Sequence, residues 1–246
     1  MKQITNNNCG FYKDLDSNFK LACELCEKIY PHNELINMLK TGNIPEKQIA
    51  ALRLDYIENA DDAKILLNNL TGCDGKIREA VALKINTLIN ENDKNKQIFA
   101  EISAQKFADA TIDINANICR LIVDCAVILK PNNGFAVKYT DLIINRTNEA
   151  LSELDKFIFR DKKYVINKQL FKLYWCLEAL SEFYNFADEN TLTGIIEKCA
   201  NQKEYTIREK TAQIILKSNR FPQIKEKLIN DENYYVRQVL HHPSLL

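Results

Sequence analysis

Apolar residues return at intervals of three and four along most of this chain, and alternation of period two appears nowhere over a useful length. Spacing of three and four lines one face of a helix; spacing of two lines one face of a strand. Ile77, Ala80, Val81, Ile85 and Leu88 follow the helical spacing over Lys76–Asn90. Ile166, Leu170, Leu173, Leu177, Leu180 and Tyr184 follow it over Val165–Tyr184, and Ile207, Thr211, Ile214 and Ile215 over Tyr205–Ser218. Ala116–Leu129 is apolar on most sides and is expected deep in the packing. With 6 Gly and 5 Pro in 246 residues, the chain lacks the turn residues of a many-stranded β fold, and it has no Gly-rich phosphate loop. An all-α protein is expected, and 46% hydrophobic residues suffice for its core.

The helices come in pairs. Asn33–Lys40 precedes Pro45–Glu58, Asp61–Leu70 precedes Lys76–Asn90, and Lys94–Asp109 precedes Asn115–Leu129. Val137–Phe159 precedes Lys163–Phe186, Asn190–Ala200 precedes Tyr205–Ser218, and Pro222–Asn230 precedes Asn233–His241. Pro45 and Pro222 stand at helix starts, Pro131 follows a helix end, and Asp74-Gly75 supplies a cap and a turn. The second helices align. Ile77-Arg78-Glu79 matches Ile207-Arg208-Glu209 and Val236-Arg237-Gln238, with Asp74, Glu204 and Asp231-Glu232 ahead of them. Looser copies at Ile49, Ile118 and Leu170 give steps of 28, 41, 52, 37 and 29 residues. Two helices per period of this size is the pattern of an α-solenoid, in which each pair buries its apolar face only by stacking on its neighbours. The expected fold is a right-handed α-solenoid of about six antiparallel pairs. It fills residues 15–246 as one domain behind a flexible tail at 1–14, with a capping helix near Leu15–Tyr30. The wider middle units call for longer helices or an insertion near Lys130–Tyr139.

These residues resemble the HEAT repeat family. Asp74-Gly75-Lys76-Ile77-Arg78-Glu79-Ala80-Val81-Ala82-Leu83 is the best copy of the family pattern. The shorter units look like the HEAT-like repeats of phycobilin-lyase-type proteins, and Asp231 to Pro243 is similar to the leucine-rich variant repeat. The resemblance covers roughly Asn33 to Leu246 and implies an extended concave binding surface. No His is followed by Glu, so the chain departs from the HEAT-repeat di-iron hydroxylases, whose chemistry needs repeated His-Glu pairs.

Arg78, Arg208 and Arg237 read as a structural ladder paired with acidic turn residues of their own or the adjacent unit, Asp74, Glu204 and Asp231. Cys23 and Cys26, with Cys9 and His32, have the residue types of a Cys₃His zinc site. Phe19, Ala22, Cys23, Cys26, Ile29 and Tyr30 fall on one helical stripe, however, so these thiols are expected in a packing face and no metal is assigned. His241-His242 are adjacent and cannot share a helix face.

Nine of the 22 aromatic residues lie between Phe157 and Phe186. Trp175 falls off the apolar stripe of its helix and shares a face with Lys168, Lys172 and Glu182. Asp155 to Trp175 carries a balance of +4 and Cys176 to Cys199 one of −4, inside a chain of net charge zero. That composition marks an interface anchor: Trp175 and Phe171, rimmed by Lys168, Lys172, Glu178 and Glu182. The expected function is a non-catalytic scaffold that binds a protein or peptide on its concave surface, without cofactor. The expected state is a cytoplasmic monomer, with no disulfide framework and no membrane segment. One alternative is a HEAT-like DNA glycosylase or nucleic-acid-binding protein, disfavoured by the zero net charge. A further alternative is an accessory protein of the bilin lyase type.

Overall fold

The computed structural model describes residues 23–156 and 163–241. In chain order the helices are α1 (His32–Thr41), α2 (Ile44–Arg53), α3 (Ala60–Asn69), α4 (Gly75–Glu91), α5 (Asp93–Ile102), α6 (Ala104–Thr111) and α7 (Ala116–Leu129). They continue with α8 (Asn133–Asp155), α9 (Lys163–Phe183), α10 (Glu189–Ala200), α11 (Tyr205–Ser218), α12 (Pro222–Ile229) and α13 (Tyr234–His241). No strand occurs among the described residues. The tail at 1–14, Cys9 and His242 lie outside them.

Asparagine starts many of these helices. Asn59, Asn92, Asn115 and Asn132 each accept a backbone N–H of the following first turn, and Asp188 does the same for α10. Asn43 closes a capping box: its Oδ1 accepts from the Glu46 N–H at 3.1 Å, while Glu46 Oε2 accepts from the Asn43 N–H at 2.7 Å. Each such cap contributes about 1 kcal/mol. Just before it, a Cβ on Gly42 would lie 2.5 Å from the Met38 carbonyl oxygen and 2.8 Å from Glu46 Cβ, so only glycine fits between α1 and α2.

Some boundaries differ from the expected ones. Lys94–Asp109 breaks at Ser103, whose N–H still donates to Phe99 while its carbonyl already opens α6 by accepting from Phe107. α8 starts at Asn133, so Lys130–Tyr139 holds no insertion. The middle units are wide because α8 and α9 run for 23 and 21 residues. α2 stops at Arg53, short of Glu58.

The chain forms two compact units, up to Lys84 and from Ile85. In the first, α1 packs on α2 and α3. In the second, α6, α8, α10 and α12 touch in succession, and so do α7, α9, α11 and α13; each member of the first row also packs on its own successor in the second. The centre of this unit is Tyr139. Its ring stacks on Phe135 at 5.5 Å and meets Phe183 edge-on at 5.1 Å. Its hydroxyl bonds Thr111 Oγ1 at 2.7 Å, and Thr111 in turn donates to the Phe107 carbonyl. α7 is buried through Ile118, Ile122, Val123, Cys125, Ala126 and Leu129, as its composition requires.

The three ladder arginines share one geometry. Each donates through Nη1 to the carbonyls six and five residues before it: Arg78 to Gly72 and Cys73, Arg208 to Gln202 and Lys203, Arg237 to Asp231 and Glu232. The acidic turn residues play other parts. Asp74 caps α4 through the Lys76 and Ile77 N–H groups, and Glu204 makes no cap hydrogen bond. Asp231 receives Arg208 from the preceding unit, Nε at 2.7 Å and Nη2 at 3.0 Å, both side chains being 8% exposed. Cys119 fills the same slot ahead of α7, its Sγ donating to the carbonyl of Asp113, six residues back. Its turn repeats that of Asp231: Asp113 Oδ1 accepts from the Asn115 N–H as Asp231 Oδ1 does from Asn233, both at 2.8 Å.

Arg208→Met leaves the buried Asp231 carboxylate and two turn carbonyls without their donor, and should cost about 3 kcal/mol in urea unfolding. Arg146→Met, which removes a more exposed pair with Asp109, should cost about 1 kcal/mol or less. The pair at Asp231 is also acid-sensitive. Burial works to raise the Asp231 pKa, but hydrogen bonds from Arg208 and Asn233 outweigh it and hold the carboxyl below its ordinary value. A depressed folded pKa contributes stability that is present above the unfolded value, about 3.9, and is lost as pH falls through the folded one. The stability gap between wild type and Asp231→Asn should therefore stay constant from neutral pH to about 5 and close below about 4.

Candidate binding site

Residues of α8 and α9 line a cleft of about 530 Å³. Arg146, Asn148, Glu149 and Ser152 of α8 line it, facing Gln169 and Lys172 of α9. Arg146 is held in place: it donates to Asp109 of α6 at 2.6 Å and to Glu149 at 3.0 Å, and these bonds raise its pKa above that of an ordinary arginine. Lys172 makes no ion pair with any described residue. Asn148, Ser152 and Gln169 likewise make no side-chain hydrogen bond to a described residue. The cleft therefore presents donors not used by the fold beside a fixed guanidinium. A ligand rich in carbonyl and carboxylate groups, with an extended shape, fits that chemistry.

The opposite side of α9 is occupied. Glu178 pairs with Lys210 and Glu182 with Lys217, both lysines on α11, and Lys217 also reaches Ser181 at 3.3 Å. Burial disfavours the Lys210 charge, but Glu178 outweighs that and the pKa is raised; the ammonium also lies 4.9 Å from the Tyr174 ring centroid. Asp124 on α7 faces the same region. Burial raises its carboxyl pKa and the charge of Glu178 adds to the rise, against Arg120.

These contacts correct the expected interface anchor. Trp175 is 7% exposed, packed edge-on to Phe171 and Tyr174, with its Nε1 buried and unbonded among the described residues. α9 packs on α7, α8 and α11 at once, so its buried arc is wider than one apolar stripe. Glu178 and Glu182 are committed to α11, not a free rim, and Phe171 is half-buried. Lys168 is exposed, and Lys172 turns into the α8 cleft.

The candidate zinc set is also redistributed. The helical turn at Cys23–Cys26 ends there, so Ile29 and Tyr30 do not continue its face, and Cys23, Cys26 and Ile29 are exposed instead of packed. Arg53 ends that turn by donating to the carbonyls of Cys26 and Lys28. His32 lies with other residues: its Nε2 is 3.0 Å from Asp62 Oδ2, and its ring stacks on Tyr56. Four cysteines are core residues. Burial pushes the thiols of Cys119, Cys125, Cys176 and Cys199 up to about 12. Such thiols are not nucleophiles at neutral pH. No described helix is long and apolar enough to cross a membrane.

No family model matches the sequence, and no curated protein matches it. Among solved structures, one described as the crystal structure of an engineered protein from the Northeast Structural Genomics Consortium is similar. It is 12% identical, with a TM-score of 0.51 over 87% of this chain and 96% of that one. At that identity the likeness concerns the fold alone.

Two measurements check these placements. The fluorescence of Trp175, the single tryptophan, should be blue-shifted and weakly quenched by iodide, because its ring is excluded from water. In native thiol titration with an aromatic disulfide, the exposed Cys23, Cys26 and Cys73 should react fast. The four core thiols should react only after denaturant is added.

Proposed function

We propose that this chain is a non-catalytic, HEAT-like α-solenoid scaffold that binds a protein or peptide segment. Three features support the solenoid reading: the two rows of helices in the second unit, the arginine-to-carbonyl geometry repeated at Arg78, Arg208 and Arg237, and the matching turns at Asp113 and Asp231. The observation that carries the binding reading is the α8–α9 cleft, where Lys172, Gln169, Asn148 and Ser152 remain available beside Arg146. An extended segment bearing backbone carbonyls and acidic side chains would pair with those donors, and Glu149 and Glu153 at the margin would select against strongly acidic polymers. A nucleic-acid function would draw on Trp175 for base stacking, and its ring is enclosed within α9's own packing.

The test begins with co-purification from the native organism to name the partner. Its affinity is then measured for Lys172→Glu and for Ser152→Trp, which fills the cleft. Both should weaken binding at least about tenfold with unchanged circular dichroism. Lys203→Glu, on an exposed turn far along the chain, serves as the control. Affinity unchanged in both cleft variants would remove the α8–α9 cleft as the binding site.

A further inference from the structure

We propose that His32, Asp62 and Glu58 form a site for one zinc-class divalent cation in the first unit. The three residues come from separate places in the sequence. His32 opens α1, Glu58 precedes the Asn59 cap of α3, and Asp62 lies in the first turn of α3. One nitrogen and two carboxylate oxygens, one from each residue, lie within 4.8 Å of one another.

Geometry distinguishes this cluster from a surface ion pair. His32 Nε2 and Asp62 Oδ2 are 3.0 Å apart, and their side chains are only 9% and 11% exposed. Zinc binds such donors at about 2.0–2.2 Å, which in a tetrahedral site places two ligand atoms about 3.3–3.6 Å apart. The pair need open by only a few tenths of an ångström to hold one ion. The third donor, Glu58, is exposed and offers a carboxylate oxygen within 4.8 Å of the other two ligand atoms. The supporting contacts are those a histidine–carboxylate site needs. The Tyr56 ring stacks on the imidazole at 4.5 Å and 11°, which fixes its plane. The Glu58 backbone N–H donates to Asp62 Oδ2 at 2.9 Å, which orients the carboxylate.

A cleft of about 320 Å³, lined by His32, Tyr30, Tyr56 and Asp55, gives access for a fourth ligand. The Tyr30 hydroxyl on its wall is buried and has no hydrogen-bond partner among the described residues. The N1O2 donor set suits zinc, which accepts imidazole and carboxylate together, better than magnesium or calcium, which favour oxygen alone. To ligate, Nε2 gives up the proton that bridges it to Asp62; in neutral imidazole that proton is relocated to Nδ1 with no net release. Nε2 then gives its lone pair to the metal, and a proton goes to solvent only where the ring starts as imidazolium.

The test is calorimetric titration of the full chain with Zn²⁺ at neutral pH, in buffers of different ionisation enthalpy. It is repeated on the Cys9→Ser/Cys23→Ser/Cys26→Ser variant, because free thiols also take zinc. The expected result is one ion per chain in the serine variant, a rise in the thermal midpoint with Zn²⁺, and weaker binding at lower pH. In the serine background, Glu58→Gln should weaken binding at least about tenfold without altering circular dichroism, and His32→Gln should abolish it. The assignment is overturned by absence of saturable Zn²⁺ binding, by binding that vanishes with the three cysteines, or by binding that survives unchanged in Glu58→Gln. A structural His32–Asp62 pair alone predicts no zinc-dependent rise in the thermal midpoint.

Discussion

Between paired helices the chain turns sharply, and two carbonyls of the turn lie ahead of the helix that follows, partly shielded from water. Leaving both without a donor would cost about 1–3 kcal/mol, a sizeable part of a domain's net stability. A guanidinium placed on the first turn of the second helix meets both at once, since one nitrogen can donate two hydrogens to neighbouring acceptors. Arg78, Arg208 and Arg237 all do this. The bond sets the entry of α4, α11 and α13 relative to the preceding turn, and the packing of each second helix follows from that entry. At Arg208 the remaining nitrogens cross to Asp231, so the same side chain that closes one turn holds the next. Cys119 makes a single weaker bond in the equivalent place, and there the broad apolar face of α7 supplies the packing.

Charge is organised on the same principle of local closure. The −4 stretch from Cys176 to Cys199 does not create an acidic surface on α9, because Glu178 and Glu182 meet Lys210 and Lys217 of α11. The Glu178–Lys210 pair lies at the same seam as Tyr174, where the partial burial of Lys210 strengthens it, and the Glu182–Lys217 pair is more open to water. On the other side of α9 a cleft borders α8, and Lys172 lies in it without an ionic partner among the described residues. The two sides of one helix thus differ: one is closed by ion pairs to α11 and the other borders the cleft.

The helices were legible because periodicity, caps and breakers act over a few residues. Tyr205–Ser218 was placed to the residue, and Lys76–Asn90 falls within one residue of α4 at each end. The ladder arginines were legible as structural because their placement repeats, although their main partners proved to be carbonyls, which have no signature in a sequence. Trp175 was misplaced for a definite reason. A helical wheel assigns one buried stripe, whereas α9 is enclosed by α7, α8 and α11, and a residue between two contact faces is covered from both sides. Cys23 and Cys26 were misplaced because the stripe assumed that their helix reached Tyr30. Arg53, 27 residues beyond Cys26, terminates it.

By itself the sequence determined that the chain is helical, where most of its helices begin and end, and that they pair and repeat. Those properties follow from apolar spacing and from side chains that bond their own backbone within one turn. Tertiary structure alone decided which faces are buried, that Glu178 and Glu182 belong to α11, that α8 and α9 leave a cleft, and that His32 meets Asp62 across 30 residues. Each depends on which helices lie side by side and at what separation. That is set by the summed packing of many side chains distant in the chain, and no local pattern encodes it.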